Sequence, residues 1–187
     1  MRAHPSIEKA GHRPRREPSP GWHDVLADGT PVHIRPIRKE DAMLEREFLS
    51  HLSRRALHDR FVAVVHAPSE TAAQRLASIE TDGNVALIAL VRQNGRDVEV
   101  AAGGYFRTRD GKGCHAALAV DDAWRNRGVG TLLANHLMDM ARAGGIRRAY
   151  VVDPVDRKEH HRLADRLGFR PRPDPEDPAA VIFELEL

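Results

Sequence analysis

Residues 118–133 read LAVDDAWRNRGVGTLL, and few folds can accommodate such a run. An alternating apolar stretch ends at Val120 and a polar turn follows. From Gly128 an apolar stripe recurs at Val129, Leu132, Leu133, Leu137 and Met140, the spacing of an amphipathic helix that runs to Ala143. A strand, turn and helix joined in this way leave the first backbone N–H groups of the helix without partners and gather partial positive charge there. Gly128 and Gly130 let an anion's oxygens approach that backbone without meeting a Cβ. Arg125 and Arg127 add cationic donors suited to phosphate. On residue chemistry alone the segment is either a diphosphate site or a glycine-bearing turn with solvated arginines. Two common phosphate motifs are excluded. A dinucleotide fingerprint needs a third glycine where Leu133 stands, and a P-loop needs a Gly-Lys-Ser/Thr triplet that occurs nowhere in the chain.

The pattern around this segment defines one α/β domain. Asp28-Gly29 between alternating apolar and polar residues predicts a hairpin over 22–37. Helices are predicted over 41–52, over 53–62 with Ser53 as its cap, and over 69–79. Three strands follow, over 84–91, 97–107 and 114–120. The first is continuously apolar, as a strand covered on both faces must be. Gly144-Gly145 stops the helix that begins at Gly128. After it come a strand over 149–152, a helix over 157–167 ended by Gly168, and a last strand over 181–187. The proline-rich 170–178 segment (RPRPDPEDP) reads as a surface loop.

Composition narrows the function classes. The chain has 187 residues, the size of one domain, and 41% of them are hydrophobic and 30% charged. The longest apolar run is VALIALV over 85–91, far below the roughly 20 residues of a membrane helix. Cys114 is the single cysteine, so neither a disulfide nor a cysteine-rich metal site can form within one chain. Residues 1–20 carry five basic and two acidic side chains. The whole chain is only +2, so the other 167 residues sum to −1. We therefore expect a cytoplasmic protein, monomer or homodimer, with residues 1–21 as a flexible basic tail and 22–187 as the folded domain. No nucleic-acid, membrane or metal partner is expected.

The run from Val120 to Gly130, VDDAWRNRGVG, resembles the acetyl-CoA pyrophosphate loop of the GCN5-related N-acetyltransferase (GNAT) superfamily, whose core is Gln/Arg-x-x-Gly-x-Gly/Ala. DVLADGTPVHIRPIRKEDA, the pairs within LSRRALHDRF, and RLADRLGF are also similar to the acetyltransferase domain of bacterial protein lysine acetyltransferases. The resemblance spans about residues 22–187. It implies a GNAT fold, a mixed and mostly antiparallel sheet with a central β-α-β-α-β core. It also implies acetyl-CoA as cosubstrate, without a metal, and a primary amine as acceptor, with a protein lysine favoured. The backbones of Leu118, Ala119 and Val120 are then expected to hold the pantetheine arm. The N–H groups of Arg125, Asn126, Arg127, Gly128, Val129, Gly130 and Thr131 are expected to hold the pyrophosphate. The acetyl group is expected near the end of the strand over 114–120, where it parts from the strand over 149–152.

Three positions depart from the family's pattern. His115 stands where the lysine acetyltransferases carry a glutamate base. An imidazole titrates near 6.5 unperturbed, which suits deprotonation of an ammonium. Ala164 stands where many relatives place a thiolate-protonating tyrosine, and Arg157 replaces an asparagine at the start of the same helix. Three alternatives are weighed: a protein lysine acetyltransferase, an enzyme for a small amine, and an acyl-CoA-binding module without a base. Cys114 and His115 point to opposite faces of a strand, which argues against a nucleophile pair. His160 and His161 diverge by about 100° on a helix, which argues against a shared metal. Tyr105 is expected to pack.

Overall fold

A computed structural model describes residues 21–53, 56, 83–156 and 158–187. The predicted helices over 53–62 and 69–79 lie outside these residues, except that Ser53 Oγ accepts the Ala56 N–H at 3.2 Å, the geometry of a helix cap. Eight strands form one sheet: β1 (Trp22–Val25), β2 (Pro31–Pro36), β3 (Val85–Gln93), β4 (Arg96–Arg107), β5 (Gly113–Val120), β6 (Arg148–Pro154), β7 (Arg170–Pro173) and β8 (Ala180–Glu186). The order is β1-β2-β3-β4-β5-β6-β8-β7, and only the β5–β6 pair is parallel. Among the described residues three helices join them: α1 (Ala42–His51), α2 (Val129–Ala143) and α3 (Lys158–Arg166).

The alternation along β3 and β4 divides the core between the two faces of the sheet. Leu87, Ala89, Ala101 and Tyr105 pack with Leu133, Leu137 and Ala141 of α2, in a cluster that also takes in Ala164 and Phe183. Ile88, Leu90, Ala102 and Ala119 pack with Phe48 of α1 on the other face. Burying Leu133 and Leu137 contributes about 1.5–3 kcal/mol each. The small residues of β4 let α2 and the neighbouring strands come close. A Cβ on Gly103 would stand 3.1 Å from Leu137 Cδ1. Gly145, at φ 79°, ends α2 in a Schellman arrangement, with Ile146 N–H donating to the Ala141 carbonyl and Gly145 N–H to that of Arg142.

The proline-rich 170–178 segment is partly a strand rather than a surface loop throughout. Residues 170–173 form β7 at the edge of the sheet, paired with β8. An edge strand tolerates Pro171 and Pro173 because only one of its sides must supply N–H donors. The β5–β6 pairing is short: it runs over Gly113↔Arg148, Cys114↔Ala149 and His115↔Tyr150 and then ends. The strands thus part three residues into β5 rather than near its end as expected, because β6 leaves β5 while keeping its register with β8 to Pro154.

Candidate functional site

The turn between β5 and α2 is shaped by local backbone chemistry. Asp121 Oδ1 accepts the Ala123 N–H at 2.8 Å and starts a 3-10 turn over Asp122–Trp124. Asn126 and Gly128 both adopt the left-handed region, at φ 60° and 94°. These two positions turn the chain sharply just ahead of α2, whose first N–H groups have no partner within the helix. A Cβ on Gly128 would meet nothing within 4 Å, so the space before the helix is open. One on Gly130 would fill the groove, 3.2 Å from Val120 Cγ2 and 3.8 Å from Leu118 Cδ1 and Leu163 Cδ2.

A cavity of about 320 Å³ is lined here by Leu118, Ala119, Val120, Arg125, Asn126, Arg127, Gly128, Gly130 and Thr131. Val129, also among the residues expected to hold the cosubstrate, does not line the cavity and packs its side chain in the core. The two arginines differ from their expected use. Arg125 pairs with Asp122 at 2.8 Å. Arg127 lies 4.0 Å over the Trp124 ring and donates from Nε (3.0 Å) and Nη2 (2.5 Å) to Asp28 in the β1–β2 turn. Hydrogen bonds from Thr30, joined by those of Arg127, hold the Asp28 carboxyl down at about 2. The Arg127 guanidinium is thus a strut between two loops, and its backbone N–H is what remains for an anion.

Where β5 and β6 part, a second cavity of about 110 Å³ opens in the sheet. Leu118 and Leu163 line both cavities, which therefore lie side by side along β5. His115 stands at the apex of the parting, half-buried, its ring 5.6 Å from that of Tyr150. It lies on the α1 side with Ala117 and Ala119, as strand alternation requires. Past His115 no strand among the described residues pairs with this edge of β5, whose backbone can therefore take up an extended ligand in place of a strand.

Tyr150 and Asp153 of β6 also line the apex cavity, and sequence reading did not single them out. The signal lay in the β-α-β spacing, which predicts a neighbouring parallel strand but not its register. Ala164 lines the cavity from α3 and brings no hydroxyl. Tyr105 is buried in the core, and burial pushes its hydroxyl up. Cys114 is fully buried on the opposite face from His115, and burial pushes its thiol up to about 12, so it stays protonated and is no nucleophile. His161 packs on Phe183 with centroids 4.8 Å apart, and its Nε2 is 3.3 Å from the Pro154 carbonyl. Arg157 is outside the described residues. Among the described residues no three His, Cys, Asp or Glu side chains converge as metal ligands, and no helix is long and apolar enough to cross a membrane.

The model of the acetyltransferase (GNAT) family matches residues 46–169. The chain is 34% identical over 166 residues, 89% of each protein, to acetyltransferase PA5475 of Pseudomonas aeruginosa. Its fold is similar to the crystal structure of the GNAT domain of S. lividans PAT, with a TM-score of 0.74 at 24% identity, covering 89% of this chain and 97% of that one. It is also similar to YncA of Salmonella typhimurium, solved with its cofactor acetyl-CoA. There the TM-score is 0.57 at 21% identity, covering 83% and 94% of the two chains.

Proposed function

Because the chain belongs to the GNAT acetyltransferase family, we propose that it acetylates a protein lysine ε-amine, with His115 as general base. Its class is that of an acyl-CoA-dependent N-acetyltransferase. Acetyl-CoA supplies an activated acetyl group, whose C–S bond breaks as the amide bond forms. The residues fit this cosubstrate. The glycine-bearing turn of Arg125–Thr131 receives the pyrophosphate on its N–H groups. The open edge of β5 at Leu118, Ala119 and Val120 receives the pantetheine, and the apex of the parting receives the thioester. His115 accepts a proton from the acceptor's ammonium, and the neutral amine then attacks the thioester carbon. The departing thiolate is a good leaving group, and the proton that the attacking nitrogen sheds as the amide forms reaches it through water, consistent with Ala164 in place of a tyrosine. Residues 22–187 act as the catalytic domain in this reading, with 1–21 a dispensable tail.

One observation carries the proposal: the apex cavity, rimmed by His115, and the cavity at the glycine-bearing turn share Leu118 and Leu163 as walls. The three segments that resemble the lysine acetyltransferases support lysine over a small amine. The test is His115→Ala, assayed on lysine peptides and small amines. It should lower kcat/KM by about 10²–10⁴-fold with little change in acetyl-CoA affinity. His115→Glu should retain activity and move the ascending limb of the pH–rate profile down by about two units, since a carboxylate titrates that much lower than an imidazole. Full activity of His115→Ala on the preferred acceptor would place the base elsewhere.

A further inference from the structure

Beside the apex cavity, the same end of the sheet carries a second recess of about 530 Å³. It is built by the β4–β5 turn and the start of β6: Arg109, Asp110, Lys112, Arg147, Arg148 and Tyr150. Four of its lining side chains are cationic and one is a carboxylate. Asp110 is committed within its own turn, accepting Thr108 Oγ1–H at 2.5 Å and the Lys112 N–H at 3.1 Å. Arg148 is 3.6 Å from Glu184, which also faces Arg172 at 3.4 Å. Arg109, Lys112 and Arg147 join no ion pair among the described residues, and all three are exposed. The residues from 21 onward sum to −1, so this concentration of positive charge is local.

Its position relates it to the reaction. Tyr150 lines both the recess and the apex cavity. Its ring lies over Gly113, where an added Cβ would stand 2.9 Å from Cε2. Gly113 and His115 face the same side of β5 and are two residues apart, about 7 Å. An acceptor whose amine reaches His115 therefore places its neighbouring groups among Arg109, Lys112 and Arg147. We propose that this recess selects protein acceptors with acidic side chains one to three positions from the target lysine. The inference rests on the lysine reading above and names the sequence context which that reading leaves open. Nucleic acid is disfavoured, because the cations form one pocket at the reaction apex rather than a stripe along the surface.

The test uses two capped lysine peptides, one with Glu and Asp at the three positions on each side of the lysine and one with Gln and Asn there. The enzymes are the full chain and its Arg109→Ser/Lys112→Ser/Arg147→Ser variant, whose changes lie on exposed side chains. The acidic peptide should be favoured about tenfold in kcat/KM, mostly through KM. That preference should shrink toward unity in the variant and in 0.5 M salt, with acetyl-CoA affinity unchanged in both. Equal rates on the two peptides, or a preference that survives in the variant, would overturn the inference and leave the lysine reading standing. Turnover of small amines with neither peptide acetylated would overturn both.

Discussion

Replacing Gly130 by alanine separates the occupant of the groove from the fold around it. Gly130 is the second residue of α2 and has an ordinary negative φ. The new methyl group would meet only side chains: Val120 Cγ2 at 3.2 Å, and Leu118 Cδ1 and Leu163 Cδ2 at 3.8 Å. A shift of a few tenths of an ångström by Val120 relieves the closest contact. Alanine is about 0.5–1 kcal/mol better than glycine inside a helix. The unliganded variant should therefore melt at the wild-type temperature or up to about 4 °C higher, at roughly 2–4 °C per kcal/mol for a chain of this size. The same methyl group stands against Leu118 and Leu163, the walls common to the two cavities, on the path proposed for acetyl-CoA. Displacing the ligand weakens charge-assisted hydrogen bonds worth about 1.5–3 kcal/mol each, so affinity should fall by about 10–100-fold. At a ligand concentration one hundred times the wild-type Kd, the wild type gains about 2.7 kcal/mol, or roughly 5–11 °C. A variant weakened one hundredfold gains about 0.4 kcal/mol, or roughly 1 °C. Differential scanning fluorimetry with and without acetyl-CoA, backed by calorimetric titration, reads both effects. An undiminished ligand shift in the variant would refute the placement of acetyl-CoA over Gly130. A fall of many degrees in the unliganded melt would refute the packing argument.

Asp41→Asn should cost about 3–5 kcal/mol in urea unfolding, because it leaves the buried Arg35 guanidinium, now bound at 2.6 and 2.7 Å, without its counter-charge. Burial pushes the Asp41 carboxyl up, but Arg35 and the Arg38 N–H outweigh it and hold it below its usual value. Its contribution is thus present above the ordinary carboxylate range and lost as pH falls through its own lower pKa, so wild type and variant should converge in strong acid. For Asp28, a carbon-detected NMR titration should find the midpoint near 2, moved only part of the way back toward 3.8 in Arg127→Met, since Thr30 remains. Its tether to Arg127 is complete at neutral pH and is lost as pH falls through about 2. A chain beginning at Gly21 should keep its melting temperature within about 2 °C and its acetyl-CoA affinity, because residues 1–20 offer little apolar surface to offset the entropy of ordering them. A larger drop would show that they pack on the domain.

The order of most elements among the described residues, and the strand-turn-helix shape before α2, were legible because local rules set them. Asp28-Gly29 specifies a hairpin, Gly145 and Gly168 at positive φ end helices, and the apolar stripe from Val129 fixes the buried face of α2. What escaped depends on groups far apart in the chain. Arg127 reads as a free phosphate donor until the hairpin brings Asp28 beneath it, 99 residues away in sequence. Tyr150 and Asp153 enter the site only through the register of β6, which no local pattern specifies. The parting was placed at the wrong end of β5 for the same reason. In the proline-rich segment the turn residues were read correctly for 174–178, while Arg170–Pro173 took the one strand position where proline costs little.

The brevity of the β5–β6 ladder has a mechanical side. Three rungs join a leaf of five strands, β1 to β5, to a leaf of three, β6, β8 and β7. The longer ladders lie within each leaf: β4–β5 and β6–β8 hold seven register pairs apiece. Backbone pairing between the leaves is thus confined to Gly113, Cys114 and His115, and the rest of the junction is apolar packing: Leu87 of the larger leaf, Phe183 of the smaller and Leu133 of α2 belong to one buried cluster. Hydrogen bonds of the ladder close one end of the slot between β5 and β6, and the side chains of Leu137 and Phe183, which line it, set the space further along.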